Sequence, residues 1–209
     1  MKRIFITCLM LFILWVNGAI GQEKRVVVID AGHGGTDLGA IGTNQIKEKD
    51  ITLALALSMA QLNKALLNDV YEIYLTRYTD TLISLNHRAK LARVLKPDLF
   101  ISLHCNHAKN KRATGIEIYL HRGTSLIKTN QKKGNDIAVS INEVLTEKLG
   151  YRSRGIKQAN FQVLRETVAT CPAILVELGF LSNSDEAGHL ESKNTINALA
   201  LAILMAIKL

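Results

Sequence analysis

Three short apolar runs, each emptying into residues that can do chemistry, constrain this chain more than any other feature. VVVI at 26–29 passes through Asp30 into a glycine turn that carries His33, DLFISL at 98–103 delivers His104, and AILV at 173–176 ends on Glu177. Apolar runs of this length bounded by turn signals read as strands buried on both faces, the kind found in a parallel sheet covered by helices. Glycines at 32, 34 and 35 remove the Cβ atoms that would crowd His33, so its ring projects from the top of a strand into open space.

The stretches between these runs change to helical spacing. Ile51, Leu53, Ala54, Leu57, Ala60, Leu62 and Leu66 follow Asp50, a natural N-cap, and Asn68-Asp69 closes that helix. YEIYLT at 71–76 alternates as a second strand, and Ser84 caps a helix that stops at Lys96-Pro97. GIEIYLH at 115–121 is a further strand, and a helix runs from about residue 133 to the Gly150 stop. Residues 151–160 are polar and basic, and 161–164 form a candidate brief strand. Asn183, Ser184 and Asp185 cap the last helical region, whose apolar side at 196–207 packs onto the sheet. The pattern predicts an α/β fold: a twisted, largely parallel mixed sheet with helices on both faces, in a single domain. In open sheets of that kind ligands bind beyond the carboxyl ends of the strands, and His33, His104 and Glu177 each follow such an end. The polar loop 36–49, long for an α/β connection, is expected to serve function as well.

The 209 residues, 48% hydrophobic and 21% charged, suffice for one sizeable core. Lys2 and Arg3 precede an apolar run at 4–16, and small residues follow up to Gly21, which reads as a signal peptide over 1–21 ahead of a catalytic domain over 22–209. The run is short of the roughly 18 residues expected of a membrane span, with an uncleaved N-terminal anchor as the alternative. Cys8 lies inside the run rather than at its end, which argues against lipidation. Without Lys2 and Arg3 the formal charge falls from +8 to +6. In an exported protein such a balance suits a cell wall or membrane rather than nucleic acid, or simply a solvated basic surface. Cys105 and Cys171 are too few for a disulfide framework, and the strand assignments put them on opposite edges of the sheet, beyond the reach of a bridge.

Two histidines and a carboxylate converging from separate loops are the ligand set of a catalytic zinc, which takes three protein ligands and leaves a fourth position for water. Glu48 and Glu177 are the candidate carboxylates, and the chemistry uses both. One completes the metal site; the other takes a proton from the water and hands it to a leaving amine. Zinc lowers the pKa of its water to roughly 7 and polarises a carbonyl, so the logic leads to amide hydrolysis. The ligands are dispersed along the chain rather than paired in a compact HExxH helix.

VVVIDAGHGGTDLGA, KEKDITLALA, LTRYTD, SLNHRAKLA, DLFISLHCNH, GIEIYL and AILVELGFLSN occur in the order seen in zinc-dependent N-acetylmuramoyl-L-alanine amidases of the amidase-3 type. The chain resembles that family from Arg25 onward. The resemblance implies that His33, Glu48 and His104 hold Zn2+ and that Glu177 is the catalytic glutamate. It implies a twisted sheet flanked by helices, and cleavage of the amide between the lactyl group of N-acetylmuramic acid and L-alanine of the peptidoglycan stem peptide. Peptidoglycan in the periplasmic or extracellular envelope is then the substrate, with a protein activator as a candidate partner. A zinc peptidase acting on another exported amide and a non-catalytic wall-binding protein are the alternatives, the second opposed by retention of Glu177.

The chain departs from that family after the second histidine, where Cys105-Asn106-His107 stands in place of the common small residue followed by Asn-Ala. His107 reads as a groove-wall residue, Asn106 as a neighbour of the groove, and strand alternation should point Cys105 into the fold. The interval 123–133 leaves no room for the inserted helix that blocks the active site in some members. Arg77 and Arg88 fit either fold-stabilising pairs or anchors for stem-peptide carboxylates, and Asp30 either orients His33 or caps the turn. His87, His121 and His189 read as surface or satisfied residues.

Overall fold

The computed structural model describes residues 24–123 and 127–207; the leader expected over 1–21 lies outside the described residues. Strands β1 (Arg25–Ala31), β2 (Tyr71–Leu75), β3 (Leu99–Asn106), β4 (Ile116–His121), β5 (Ser153–Ala159) and β6 (Ala173–Phe180) form one sheet in the order β2-β1-β3-β6-β4-β5. β2, β1, β3 and β6 run parallel, while β4 pairs antiparallel with β6 and parallel with β5. The helices are α1 (Glu48–Leu66), α2 (Leu85–Leu95), α3 (Lys128–Glu147), α4 (Gln162–Thr167), α5 (Ser184–Glu191) and α6 (Lys193–Ala206). The largely parallel mixed sheet with helices on both faces is therefore present. No helix among the described residues is long and apolar enough to cross a membrane.

Side-chain alternation divides the core in two. Val27, Ile29, Ile101, Leu103, Ile174 and Val176 face one side, where α1, α3 and α6 cover them with Leu55, Met59, Ile141, Leu145, Leu199 and Ile203. Val28, Phe100, Ala173 and Leu175 face the other side and meet Ala92 of α2 with Val163 and Leu164 of α4. This second cover is shorter and leaves His104 and Glu177, toward the carboxyl ends of β3 and β6, partly exposed. The order β2-β1-β3 makes the β1/β3 boundary a switch point: the chain leaves β1 toward β2 and leaves β3 toward β4, so a crevice opens between their carboxyl ends.

Several local expectations change. α1 starts at Glu48 after Lys47 rather than after an Asp50 cap, because Glu48 N donates to Ala40 O at 2.9 Å and Lys49 N to Leu38 O at 3.3 Å, pinning the loop as the helix begins. Asp50 sits inside the first turn, where its charge suits the helix amino terminus. The polar stretch 151–160 contains strand β5, an edge strand whose exposure tolerates Arg154 and Lys157. The strand expected at 161–164 is instead the start of α4, with Val163 and Leu164 buried against α2. α3 begins at Lys128, five residues earlier than expected, so the interval after β4 is shorter still. Ser84 and Asn183 cap their helices as expected, accepting from His87 N and from Asp185 N and Glu186 N. Cys105 and Cys171 are both free and buried; Cys105 lies near the carboxyl end of β3 and Cys171 two residues before β6, so they sit at opposite ends of adjacent strands and on opposite faces, not at opposite edges of the sheet.

Candidate functional site

The glycine turn after β1 is held from below by buried cations. His33 has φ +59°, a left-handed conformation that costs energy in a non-glycine residue and needs support. Arg77, 3% exposed, donates to Ala31 O, Gly32 O, Lys49 O and Thr52 Oγ1. Arg88, 2% exposed, donates to Asp30 Oδ1, Ala31 O and His33 O, each at 2.6 Å, and to Ile83 O at 2.9 Å. Both arginines are thus spent on the fold, which decides against their serving as anchors for a substrate carboxylate. Asp30 is fully buried and also accepts from Ser102 and Thr76; burial works against its charge, but Arg88 and the Ser102 hydrogen bond together hold the carboxyl below its ordinary range. Asp30 therefore acts on His33 through Arg88 and the backbone. Lys49 Nζ and Asp80 complete the scaffold by holding Gly35 O and Gly35 N.

His33, Glu48 and His104 come together at the β1/β3 crevice, with one donor atom from each within 4.8 Å of the others. Glu48 Oε1 lies 3.1 Å from His33 Nε2 and 2.8 Å from His104 Nδ1. Glu48 is 4% exposed, and its Oε2 accepts from Ala40 N at 2.8 Å and its Oε1 from Cys105 N at 3.0 Å, so its position is set by the loop before α1 and by the end of β3. His33 Nδ1 lies 2.8 Å from Asp37 Oδ2, and Asp37 Oδ1 accepts from Gly39 N; this loop carboxylate fixes the ring, the part that sequence reasoning weighed for Asp30. A Cβ on Gly32 would stand 2.5 Å from His104 Cε1, and one on Gly39 would stand 2.6 Å from both Glu48 Oε2 and His33 Cδ2. The two glycines leave the space the ligands fill.

This donor set fits a zinc ion. A tetrahedral zinc with ligands at about 2.0–2.2 Å separates its ligand atoms by about 3.3 Å, close to the two distances seen around Glu48 Oε1. The electrostatics favour a cation as well. Burial opposes charge on all three groups, yet Glu48 is held well below its ordinary range by both histidines, His104 is pushed up by Glu48, and His33 is raised to about 9 by Glu48 and Asp37. The protein alone thus gathers protons where a metal would supply the same sign of charge.

Glu177 stands beside the cluster as the Cα partner of His104 across β3 and β6, and Glu117 of β4 is its partner on the other side. The three side chains form one row on the less covered face. Burial, with help from the charges of Glu48 and Glu117, raises the Glu177 carboxyl to about 7 against the opposing pull of the histidines. Its Oε2 is buried without a hydrogen-bond partner among the described residues, an uncommon state for a carboxylate and an available proton acceptor. A cavity of about 330 Å³ lies against His33 and His104, walled by Leu82, Ile83 and Leu85.

All four site residues singled out in the sequence therefore meet, although His104 and Glu177 lie inside their strands rather than after them. Cys105 faces the apolar core with its thiol pushed well up by burial, and His107 is exposed outside the ligand cluster. His87 sits against Ser84 at its helix cap, and His189 against Thr195. Sequence reasoning missed Asp37, Lys49, Asp80 and Glu117. Only Asp37 had a signal, a carboxylate four residues after His33 in a glycine-bracketed loop.

The profile of a family described as N-acetylmuramoyl-L-alanine amidase matches residues 27–209. The chain is 36% identical to the N-acetylmuramoyl-L-alanine amidase CwlM of Bacillus licheniformis, over 83% of this chain and 64% of that one, so it spans a little under two thirds of that relative. Its fold is similar to the catalytic domain of the amidase CwlV from Bacillus (Paenibacillus) polymyxa var. colistinus, with a TM-score of 0.72 at 36% identity, covering 88% of this chain and 96% of that one. It is likewise similar to an N-acetylmuramoyl-L-alanine amidase from Clostridium difficile 630, with a TM-score of 0.79 at 32% identity over 88% of this chain and 95% of that one.

Proposed function

The chain belongs to the N-acetylmuramoyl-L-alanine amidase family, and from that premise we propose that it is an exported, zinc-dependent amidase that cuts the amide between the lactyl group of N-acetylmuramic acid and L-alanine in peptidoglycan. The observation that carries this reading is the row His104, Glu177: a half-buried carboxyl with one buried, unpartnered oxygen set one strand away from a two-histidine, one-glutamate cluster. His33, Glu48 and His104 would hold the zinc, whose chemistry is to polarise the scissile carbonyl and acidify the attacking water. Asp37 keeps the His33 ring turned toward the cluster, and Glu48 is kept deprotonated by its backbone and histidine contacts.

Glu177 accepts the proton of the attacking water on its free oxygen and returns it to the leaving amine of L-alanine, so that a neutral amine departs. A carboxyl raised to about 7 suits both halves of that task, and a cation at the cluster favours its charged form. The apolar wall of Leu82, Ile83 and Leu85 excludes water from one side of the reacting carbonyl. The leader over 1–21 would deliver the chain to the periplasm or the cell exterior, and the basic mature surface would favour the anionic wall.

The test is digestion of purified peptidoglycan sacculi by the mature chain with added zinc, alongside Glu177→Ala. Release of stem peptides with L-alanine amino termini, glycan strands left whole, is expected from the wild type alone. Cuts within stems or cross-links would replace this reading with an endopeptidase. Metal content by atomic emission, with loss of activity on chelation and its return with zinc, checks the metal.

A further inference from the structure

The edge of the sheet beside Glu177 carries a polar cluster that amide hydrolysis at the triad does not use. Glu117, 4% exposed, receives Arg154 Nε and Lys157 Nζ at 2.7 Å each on Oε1, with Tyr119 OH at 2.6 Å and Asn106 Nδ2 at 3.0 Å on Oε2. One carboxylate receives two cations, so within these contacts one positive charge is unmatched; the next acid in the row, Glu177, makes no ion pair with either. Arg154 lies over the Phe180 ring at 4.9 Å and Lys157 over the Tyr119 ring at 5.8 Å, while Phe161 meets Tyr119 edge to face at 5.2 Å. The two cationic side chains keep 33% and 38% exposure. Their heads are held by a buried anion and by aromatic faces, yet remain open to solvent. Tying down strand β5 needs one ion pair, and the second cation has its charge left over for another anion.

Position says which anion. Glu117 is the Cα partner of Glu177, so the cations lie about one strand spacing, roughly 5 Å, farther from the triad than Glu177. An extended peptide advances about 3.3–3.6 Å per residue, so an anion reaching them belongs one or two residues beyond the hydrolysed amide. Among the described residues lining the crevice on the other side of the His33, Glu48 and His104 cluster, no such partner is free: Leu82, Ile83 and Leu85 are apolar, and Arg88 there is spent on Asp30 and on carbonyls.

We propose that Arg154 and Lys157, held by Glu117, form a carboxylate subsite that lays the peptide arm of the substrate across β4 and β5 and selects an acidic residue next to the one released. This rests on the amidase reading above and adds the direction in which the substrate lies. The experiment compares kcat and KM for N-acetylmuramoyl-L-alanyl-D-glutamate and for the same compound with both glutamate carboxylates converted to carboxamides, using the zinc-loaded protein. The wild type is expected to favour the acid by about tenfold in kcat/KM, mainly through KM, as befits one charge-assisted hydrogen bond at a half-exposed site. In Lys157→Gln the preference should fall below about threefold, and Lys157→Arg should restore it. A wild type indifferent to amidation, or a Lys157→Gln variant that loses equally on both compounds and keeps the preference, overturns the subsite and leaves the cluster a tie for β5. Hydrolysis of neither compound sinks the amidase reading instead. Calorimetric titration of the two compounds into Glu177→Gln then decides the subsite: tighter binding of the acid that vanishes in Glu177→Gln/Lys157→Gln supports it, and equal affinities overturn it.

Discussion

Along β1, β3 and β6 successive side chains point to opposite sides of the sheet, and the two sides have been put to different uses. On one side Ala31, Leu103, Cys105, Val176 and Leu178 continue the apolar core to the carboxyl ends of the strands, under α1, α3 and α6. On the other, their immediate neighbours Asp30, Ser102, His104 and Glu177 replace the apolar series over the same stretch; Arg88 of α2 covers Asp30, Ser102 is buried beside it, and His104 and Glu177 keep partial exposure. The closed side is held by apolar contacts throughout; the open side exchanges them for charged and polar ones, as in the Asp30–Arg88 pair buried at 0% and 3% side-chain exposure. A single period-two alternation thus lets one set of strands be both scaffold and reactive wall.

Substitutions on the two sides should separate stability from chemistry. Glu177→Gln, on the open side, should lower turnover by about 10²–10⁴-fold, read as stem-peptide release, because the proton acceptor is lost while the shape is kept. Ile141→Ala, from α3 over the closed side, should cost about 2–5 kcal/mol in denaturant unfolding and leave turnover of the folded fraction unchanged; a drop in turnover would mean that the two sides are coupled. Asp37→Ala frees the His33 ring and should weaken zinc binding by about 10–100-fold in chelator competition, with little change in unfolding of the metal-free protein.

The smallest effect has the opposite sign. In the metal-free protein the folded-state pKa of Glu177 is raised to about 7, so the unfolded chain gives up that proton first as pH rises. Its contribution is full below the unfolded value near 4.5 and is lost as pH rises through about 7. Glu177→Gln should therefore match the wild type at low pH and exceed it above neutrality, by on the order of 1–2 kcal/mol in denaturant melts run from pH 4 to pH 8. Equal melts across that range would mean that the open side carries no strain from its reactive carboxyl.

Much of this was legible before any coordinates. The apolar runs at 26–29, 98–103 and 173–176 are buried strands because continuous β-branched and apolar residues suit a sheet covered on both faces, and the turn chemistry after them exposes His33. Edge strand β5 was illegible because an exposed edge imposes little pattern, and Ser153 to Ala159 carries charge and glycine where a central strand would carry valine. Helix α4 misread as a strand for the converse reason: Val163 and Leu164 are adjacent apolar residues in an element too short to display a helical period. Asp37 and Glu117 act through partners distant in sequence or through ring orientation, which spacing does not encode.

What the sequence determined by itself was the alternation of strand and helix and the residue types waiting at the strand ends, since both follow from local patterns of apolarity, glycine and caps. Which ends meet was decided only in three dimensions. The order β2-β1-β3-β6-β4-β5 seats β1 beside β3 and β3 beside β6, opens the crevice at the β1/β3 switch point, and brings Glu48 from the first turn of α1 against His104, 56 residues away in the chain. Strand order and register are fixed by how the helices pack over the whole sheet, a sum of long-range contacts with no signature in any one stretch of sequence.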